Sequence, residues 1–431
     1  FDSTGQIVGF MVWDALGLGF LGSILAGFVF FVFGQLKFIK PRILSLVTLV
    51  LLLIISMTMT MINVGWSLKS TTGTPPENAP NIVLVTLDTL RADCTGAGGN
   101  PTVRTPVMDR LAKLGNQFLN AICPVPMTTP SHASMLTGTI PAVHGARENR
   151  YRLGPDNITV TEILRDNGYR TAAFVSCFPL DRRFGLDQGF MVYDDRFGVP
   201  GDLRQASWYK AWKNYQSRGK MERNCRWTNS LALPWLRKFS GDGTPIFLWM
   251  HYFDPHAPYA PPKREQLYYA NKVSSNLSEW PDDYARQNAE KALIFSDVEP
   301  LPGRPEEMYL GEVSEMDRAL GELMHQLSAS GLMKNCLVMA LADHGESFGE
   351  HGFFYTHGED IYEPSLAVPM YVYRSNFGEN QDHSTFSPGT LDPNLASAVD
   401  VATTILPFTG LMTPDVMEGF DLFSPVRRGS A

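Results

Sequence analysis

The chain has 431 residues and a formal net charge of −8, with 44% hydrophobic and 19% charged residues. A nucleic-acid partner is not expected, because binding a polyanion needs a basic surface and no Lys/Arg block stands out. The length exceeds what one hydrophobic core usually fills, so we expect a large domain and an accessory segment. The five cysteines are scattered without a C-x-x-C pair, which gives no sign of a zinc motif or a disulfide framework.

Residues 1–66 predict a membrane segment with two transmembrane helices. Residues 15–34 and 43–64 are almost entirely apolar, and each stretch is long enough to cross roughly 30 Å of hydrocarbon. The loop between them, QLKFIKPR, holds the only three basic residues before Lys69. The positive-inside rule therefore places this loop in the cytoplasm. We predict a multi-pass protein of the cell (inner) membrane whose remaining chain is extracytoplasmic.

A linker separates this segment from a second domain. Residues 67–80, SLKSTTGTPPENAP, are rich in turn formers and have no apolar periodicity, which is typical of a linker. The extracytoplasmic domain is predicted to cover residues 81–431. Because the first residue is Phe1 and the chain stops soon after Leu422, we expect the sequence to continue beyond both ends.

Apolar runs and helical patterns alternate along this domain. NIVLVTL, residues 81–87, is a continuous apolar run that suits a strand buried on both faces. Helical periodicity follows in TPVMDRLAKLGNQF, and the alternation returns in TEILRDNGY, TAAFVS, PIFLWMHYF, an amphipathic helix from Val313 to Leu327, and CLVMALA. The pattern predicts an α/β fold with a mostly parallel central sheet flanked by helices. Residues 200–243 and 263–306 show little periodicity, and we interpret them as insertions over the site.

Two predicted strands end in residues suited to binding a metal. Asp88 follows the first strand directly, and Asp343 and His344 follow CLVMALA. Ligands of open α/β sheets bind at the carboxyl ends of strands, and two carboxylates with an imidazole can hold a divalent cation. A single Asp after a strand is more often a cap or turn residue. The common placement of the three side chains is what favours a metal site.

A hydroxyl-rich turn precedes another predicted helix. In TTPSHASMLTG, residues 128–138, the proline suits a first helical turn. An anion there would meet free N–H groups and the positive end of the helix dipole. A hydroxyl beside a metal would lose its proton more easily and become a nucleophile. The alternative is an ordinary Thr or Ser N-cap.

Together these stretches resemble the sulfatase family of the alkaline phosphatase superfamily, from about Asn81 to Leu422. The matching blocks, in the family's order, are NIVLVTLDTLRAD, TPVMDRLAKLGNQFLNA, TTPSHASMLTGTIPAVHG, TEILRDNGYRTAAF, HYFDPHAPYAPP, ADHGESFGEHGFFYTHG, YEPSLAVPMYVY and VDVATTILPFTG. The resemblance implies roles for particular residues. The implied metal ligands are Asp88, Thr128, Asp343 and His344, the implied catalytic residues are Thr128, His256, His351 and His357, and the implied substrate-binding residues are His132, Arg91 and Asn149. For His351 and His357 the alternative is a pair of surface-loop histidines.

The chain also departs from the family's pattern. Many sulfatases carry a Cys or Ser, oxidised to formylglycine, two residues before the motif proline and an Arg two residues after it. Thr128 and His132 occupy these positions here. Oxidation of threonine would give a ketone rather than an aldehyde, so no formylglycine is expected. Thr89 replaces the family's second metal Asp, and the block with the sulfate-binding Lys is not visible around FVSCFPLDRRFG.

The resemblance implies a membrane-anchored, metal-dependent hydrolase that cleaves sulfate or phosphate esters through a Thr nucleophile. The substrate would be a sulfated or phosphorylated glycan, lipid or small-molecule ester, and the cofactor one divalent ion, Ca²⁺ before Mn²⁺ or Zn²⁺. The threonine and DHGESFGEHG are also similar to phosphoethanolamine transferases, and the threonine to lipoteichoic acid synthases, so a phosphotransferase is the first alternative. An inactive module that binds glycans is the second.

Overall fold

The computed structural model describes residues 73–197, 222–270, 272, 279–294, 299, 304–375 and 388–424. These residues all belong to the second of two compact units, Thr71–Ala431. The two predicted membrane spans, 15–34 and 43–64, lie outside the described residues. Within the described ranges, no helix is both long enough and apolar enough to cross a membrane.

An eight-stranded sheet forms the centre of the domain. Its strands are β1 (Asn81–Leu87), β2 (Asn116–Ile122), β3 (Arg170–Phe174), β4 (Val192–Asp194), β5 (Ile246–Tyr252), β6 (Cys336–Ala342), β9 (Met370–Arg374) and β10 (Thr390–Ser397), and a separate hairpin consists of β7 (Ser347–Phe348) and β8 (Phe354–Thr356). The strand order is β10-β2-β9-β6-β1-β5-β3-β4. Only β9 runs antiparallel to its neighbours in this sheet. The predicted α/β fold with a mostly parallel sheet is confirmed.

Helices cover the sheet. They are α1 (Pro106–Leu114), α2 (Thr128–Thr137), α3 (Pro141–His144), α4 (Val160–Asp166), α5 (Cys225–Phe239), α6 (Lys263–Tyr269), α7 (Asp283–Ala292), α8 (Arg304–Ala329), α9 (Glu363–Leu366) and α10 (Asp400–Phe408). The long helix α8 packs against α1, α5 and α6, whereas α10 packs against α2 and α4. Helix α2 is therefore held by a different group of helices from those around α8.

The three central strands are buried on both faces. Every residue of β5 and β6 is buried, and so is β1 from Ile82 onward. Fully burying one large apolar side chain contributes roughly 1.5–3 kcal/mol, which explains the continuous apolar runs in these strands. Thr86, a polar residue of β1, accepts a hydrogen bond of 2.9 Å from Nε1 of Trp249. This rigid centre fixes the positions of the residues at the ends of β1, β5 and β6.

One expectation about secondary structure was wrong. The helix predicted through TPVMDRLAKLGNQF ends at Leu114, because Gly115 lies against the backbone of β9, where an added Cβ would be 2.3 Å from the carbonyl oxygen of Val372. The chain then continues as β2. The stretches of little periodicity that we interpreted as insertions over the site contain α5, α6 and α7, and α5 and α6 pack against α8.

All five cysteines fall within the described residues, and each is buried and unpaired. Burial raises the pKa of every one of these thiols above the ordinary range: Cys94, Cys123, Cys177, Cys225 and Cys336. The thiols therefore stay protonated and act as small apolar groups.

Candidate functional site

The pairing of β1 with β6 brings the predicted metal ligands together. Leu87 lies opposite Ala342 in the parallel register, so Asp88 and Asp343 leave neighbouring strands at the same edge of the sheet. Both carboxylates are completely buried. Nε2 of His344 lies 3.7 Å from Oδ1 of Asp88 and 3.5 Å from Oδ2 of Asp343. The three side chains predicted from the sequence to meet thus share one buried position.

Several polar atoms at this position have no hydrogen-bond partner among the described residues. They are Oδ1 of Asp88, Oγ1 of Thr89, Oδ2 of Asp343 and Nε2 of His344. Leaving a buried polar atom unpaired costs about 1–3 kcal/mol, and more for a charged group. Ligand atoms of Asp88, Asp343 and His344 lie within 4.8 Å of one another. These residues therefore fit a divalent cation, which would compensate the unpaired atoms.

The electrostatics of the cluster agree with this fit. Burial would raise the pKa of Asp88, but a hydrogen bond from His251 and the charges of nearby histidines hold that pKa below its ordinary value. Burial and the negative charge of Asp88 raise the pKa of Asp343 well above the ordinary range. Burial and the neighbouring His357 lower the pKa of His344, so its imidazole is neutral and can act as a ligand.

Thr89 is held in a backbone conformation that β-branched residues rarely adopt. Its φ is +55°, in the left-handed region, where such strain costs roughly 1–3 kcal/mol. Two contacts hold it there: its N–H donates to Oδ1 of Asp343 at 3.2 Å, and its carbonyl oxygen accepts from the hydroxyl of Tyr309 at 2.7 Å. The threonine that replaces the family's second Asp is therefore fixed beside Asp343.

Thr128 is the first residue of α2 and is buried. The N-cap position belongs to Met127, whose side chain cannot cap, so the alternative interpretation of Thr128 as an ordinary N-cap does not apply. The first turn is fixed to the end of β6: Oγ of Ser131 donates to the carbonyl oxygen of Asp343 at 2.7 Å. Nδ1 of His132 lies 2.8 Å from the carbonyl oxygen of Thr128 and 3.6 Å from Oδ2 of Asp343.

Three other predicted site residues have well-defined partners. Oδ1 of Asn149 accepts from the backbone N–H of Thr129 at 2.9 Å, so Asn149 supports the start of α2. Arg91 forms ion pairs of 2.8 Å with Asp93 and with Glu350. The exposed His351 stacks on Tyr362 with ring centroids 3.6 Å apart.

His256 and His357 adjoin the metal cluster. The ring centroid of His357 lies 4.4 Å from that of His344 and 5.0 Å from that of His256. Burial would lower the pKa of His357, but its hydrogen bond to Glu346 and the charge of Glu346 raise it. Burial lowers the pKa of His256, whose Nδ1 donates to the carbonyl oxygen of Ala257 at 2.5 Å. The pocket thus holds one imidazole that favours its charged form and one that favours its neutral form.

This arrangement agrees with comparisons to known proteins. A family model described as Sulfatase matches residues 80–411. The chain belongs to the sulfatase family. Among similar proteins, the ulvan-active sulfatase of Formosa agariphila is 27% identical over 362 residues, covering 80% of this chain and 64% of that protein. The arylsulfatase of Clostridium perfringens is 26% identical and covers 80% and 77%, and human arylsulfatase K is 27% identical and covers 80% and 66%. This sulfatase-family chain therefore spans just under two thirds of the length of several relatives.

Solved structures share the fold of this sulfatase-family domain. A phosphonate monoester hydrolase from Silicibacter pomeroyi matches with a TM-score of 0.61 and 21% identity, over 80% of this chain and 76% of that one. A protein solved in complex with its substrate D-glucosamine-2-N,6-O-disulfate matches with a TM-score of 0.61 and 19% identity, over 80% and 79%. At these identities the likeness shows the fold alone.

Sequence reasoning missed several residues of this sulfatase-family site. His251 lies in β5, completely buried, with Nε2 3.3 Å from Oδ2 of Asp88. Glu346 and Tyr259 support His357, and the hydroxyl of Tyr259 donates to the Glu346 carboxylate. The signal for His251 was present, because one imidazole interrupts the otherwise uncharged and mostly apolar strand IFLWMHY.

A cavity of about 260 Å³ adjoins His256 in this sulfatase-family domain. Its walls include the aromatic ring of Phe253 and the ionisable residues Arg226, Glu312 and Glu315. Phe253 stacks on His256 with ring centroids 4.3 Å apart. The cavity extends from His256 toward α5 and α8.

Proposed function

We propose that this sulfatase-family protein hydrolyses sulfate or phosphate esters, with Thr128 as the nucleophile. The observation that carries the proposal is the attachment of the first turn of α2 to the strand end that bears Asp343, through Ser131 and His132. This attachment supports a position for Thr128 beside the buried carboxylates. From residues 15–34 and 43–64 we further propose that the protein is anchored in the inner membrane with an extracytoplasmic catalytic domain.

Asp88, Thr128, Asp343 and His344 would hold one divalent ion. When bound, the ion would favour loss of the Thr128 proton and offset the charge that develops on the ester. Ca²⁺ suits the oxygen-rich ligand set, while Mn²⁺ or Zn²⁺ would suit the imidazole of His344. Because residue 128 is a threonine, we expect no formylglycine.

The reaction then proceeds through the chain's own groups. Thr128, whose hydroxyl proton has passed to solvent, attacks the sulfur or phosphorus in line through Oγ1. The bond to the leaving oxygen breaks, and a protonated histidine gives that oxygen a proton. His357 is the better donor, because Glu346 favours its charged form. When water later cleaves the ester on Thr128, the neutral His256 accepts a proton from that water and Thr128 leaves as its alkoxide. We assign no step to His351, whose ring is stacked on Tyr362.

Chemistry favours phosphorus over sulfur at this site. A sulfated threonine lacks the geminal hydroxyl that lets a formylglycine hydrate expel sulfate, whereas a phosphorylated threonine can be hydrolysed by water. A multifunctional alkaline phosphatase superfamily protein of Trinickia caryophylli is 25% identical over 420 residues, covering 81% of this chain and 77% of that protein. The ulvan-active relative supports a sulfated glycan instead. The proposed substrate class therefore comprises sulfated or phosphorylated glycans, lipids and small-molecule esters.

An inactive glycan-binding module fits the site less well. Oδ1 of Asp88 and Oδ2 of Asp343 are buried without partners among the described residues, and such groups reduce stability without adding to the core. A phosphotransferase would use the same Thr128 ester but pass it to an alcohol. The two enzymes are distinguished by whether added alcohols appear in the product.

Mass spectrometry after acid quenching tests the proposal. Full-length protein is mixed with a panel of aryl phosphate, phosphonate and sulfate esters, and the peptide that contains Thr128 is examined. We expect a gain of about 80 Da on that peptide, and accurate mass separates phosphate from sulfate. Thr128→Ala should abolish both the adduct and turnover, while the matched control Thr129→Ala keeps them. Full activity of Thr128→Ala on every ester that the wild type cleaves would overturn the proposal.

A further inference from the structure

A second group of buried ligand atoms lies one helical turn further along α2 than Thr128. We call it the His132 cluster, and its members are His132, His251 and Asp343, whose ligand atoms lie within 4.8 Å of one another. All three side chains are at most 1% exposed. The rings of His132 and His251 meet edge to face with centroids 5.1 Å apart. The cluster joins α2, β5 and the end of β6 inside the domain.

The hydrogen bond of His132 determines which of its nitrogens is free. Nδ1 lies 2.8 Å from the carbonyl oxygen of Thr128. A carbonyl oxygen can only accept, so Nδ1 carries the proton and Nε2 carries a lone pair. Nε2 has no hydrogen-bond partner among the described residues.

The hydrogen bonds of His251 place its ring proton differently. Oγ of Ser176 lies 2.5 Å from the carbonyl oxygen of His251 and 2.7 Å from its Nδ1. The backbone N–H of Ser176 donates to Nδ1 at 3.3 Å, so Nδ1 accepts and the ring proton is on Nε2. Nε2 faces Oδ2 of Asp88 at 3.3 Å but makes no well-aligned hydrogen bond within the described ranges. A cation bound at Nε2 would displace this proton.

Three buried ligand atoms of the His132 cluster therefore have no hydrogen-bond partner among the described residues: the two Nε2 atoms and Oδ2 of Asp343. A cation satisfies all three at once. Two imidazoles and a carboxylate are a ligand set typical of Zn²⁺.

We propose that His132, His251 and Asp343 hold a second divalent cation with the chemistry of Zn²⁺, so that Asp343 bridges two metal positions. Oδ2 of Asp88, 3.3 Å from Nε2 of His251, supplies a fourth ligand. The Sγ atom of Cys177 lies 3.8 Å from the same oxygen and belongs to a group with Asp88 and His251 whose ligand atoms also lie close together. His132, His251, Asp343 and Asp88 together supply the four ligands that Zn²⁺ prefers.

The charge of the site favours a second cation. Ionised Thr128, Asp88 and Asp343 carry three negative charges, so one divalent ion leaves a net charge of −1 that repels an anionic ester. A second divalent ion makes the net charge +1. Arg91 does not supply this charge, because its guanidinium is paired with Asp93 and Glu350. This charge count rests on the proposed function, whereas the geometry of the His132 cluster does not.

The metal content of the full-length protein in detergent tests the proposal. Untagged protein is stripped with a chelator, dialysed against Zn²⁺ and analysed by inductively coupled plasma mass spectrometry. We expect two equivalents in the wild type and one in each of His132→Gln and His251→Gln, with the Zn²⁺ Kd of the lost site raised more than about 100-fold. The matched control is His144→Gln, which alters a buried histidine outside both clusters and should keep two equivalents.

A crystallographic measurement on the wild type covers the case in which the variants do not fold. Anomalous scattering at the zinc edge should show one peak between His132 and His251 and another beside His344. One equivalent in the wild type that His132→Gln leaves unchanged, or a water in place of the first peak, would overturn the proposal. A missing Thr128 adduct would contradict the proposed reaction without changing the metal count, so the two failures are distinguishable.

Discussion

Oε1 of Glu346 lies 3.2 Å from Nδ1 of His357, and Oε2 of the same carboxylate accepts a hydrogen bond from the hydroxyl of Tyr259. Glu346 is almost completely buried, with 1% of its side chain exposed. A buried carboxylate held in this way fixes the proton of His357 on Nδ1 and favours the charged imidazolium.

From the contact between Glu346 and His357 we predict how a substitution of Glu346 changes the pH profile of ester cleavage. Because Glu346 raises the pKa of His357, the protonated form persists to higher pH and is lost as the pH rises through that pKa. Glu346→Gln should therefore move the alkaline limb of kcat/KM to lower pH, by about one unit. Profiles of the wild type and the surface control Glu359→Gln should coincide. An unchanged limb in Glu346→Gln would mean that His357 is not the acid.

We expect Asp343→Asn to stabilise the metal-free domain and to weaken metal binding. Burial and the charge of Asp88 raise the pKa of Asp343, so its ionised form destabilises the metal-free fold and an amide relieves the repulsion. With a chelator present, we expect the variant to melt a few degrees above the wild type, since about 1 kcal/mol moves the Tm by roughly 2–4 °C. The rise in Tm that metal produces in the wild type should vanish. A lower Tm without metal would contradict the repulsion between the carboxylates.

Glu265 links α6 to its surroundings through three arginines. Its side chain is 0% exposed and pairs with Arg104, with Arg264 at 3.0 Å and with Arg318 at 2.7 Å. Glu265→Gln should destabilise the domain by about 1–3 kcal/mol, because hydrogen bonds to charged groups are lost inside the protein. Arg264→Ala, in which a half-exposed side chain is removed, should cost less than about 1 kcal/mol. Thermal or urea unfolding of the two variants measures the difference, and equal losses would contradict the central role of Glu265.

The surroundings of His144 predict that the folded domain loses stability in acid. Its Nδ1 accepts from the N–H of Ala146 at 3.1 Å and its Nε2 lies 3.0 Å from Oγ of Ser134, so the neutral ring is fully paired. Burial lowers its pKa from 6.5 to about 4. Between these values the unfolded chain binds a proton that the folded chain does not, so stability falls as the pH drops through this window.

The measurement is the Tm of the wild type and of His144→Gln at pH 7 and pH 5. The Tm of His144→Gln should be lower than that of the wild type at pH 7. It should fall by fewer degrees between pH 7 and pH 5, because glutamine cannot bind a proton in the unfolded chain. Equal losses would show that the residue stays neutral in both states.

Much of the site could be predicted because its carboxylates directly follow continuous apolar strands. Because β1 and β6 are buried on both faces, their continuous apolar runs can be recognised in the sequence. Ligands of such sheets bind at the carboxyl ends of the strands, which points to Asp88 and Asp343. The strand order was not needed for this step. The roles of His351, Arg91 and Asn149 came from resemblance alone and stay predictions.

Long-range contacts determined what the sequence could not reveal. β10 contains Asp392, Pro393 and Asn394, which weaken any strand signal, and it forms because it pairs with β2 across an irregularity between Asp392 and Leu395. His132 was assigned to substrate binding from its place beside Pro130. In the structure its ring packs 5.3 Å from that of Trp249, a contact between residues far apart in the chain. The importance of His251 likewise depends on Ser176 and Asp88, which no local pattern connects to it.

The five buried thiols, none of which is in a disulfide, can be used to detect transient unfolding of this domain. An alkylating reagent can react only when a thiol becomes exposed and loses its proton, so the rate of labelling follows transient unfolding rather than surface chemistry. Labels on Cys94, Cys123, Cys177, Cys225 and Cys336 would map which parts of the domain open first. Because no disulfide holds the fold, dithiothreitol can be present during refolding without weakening it.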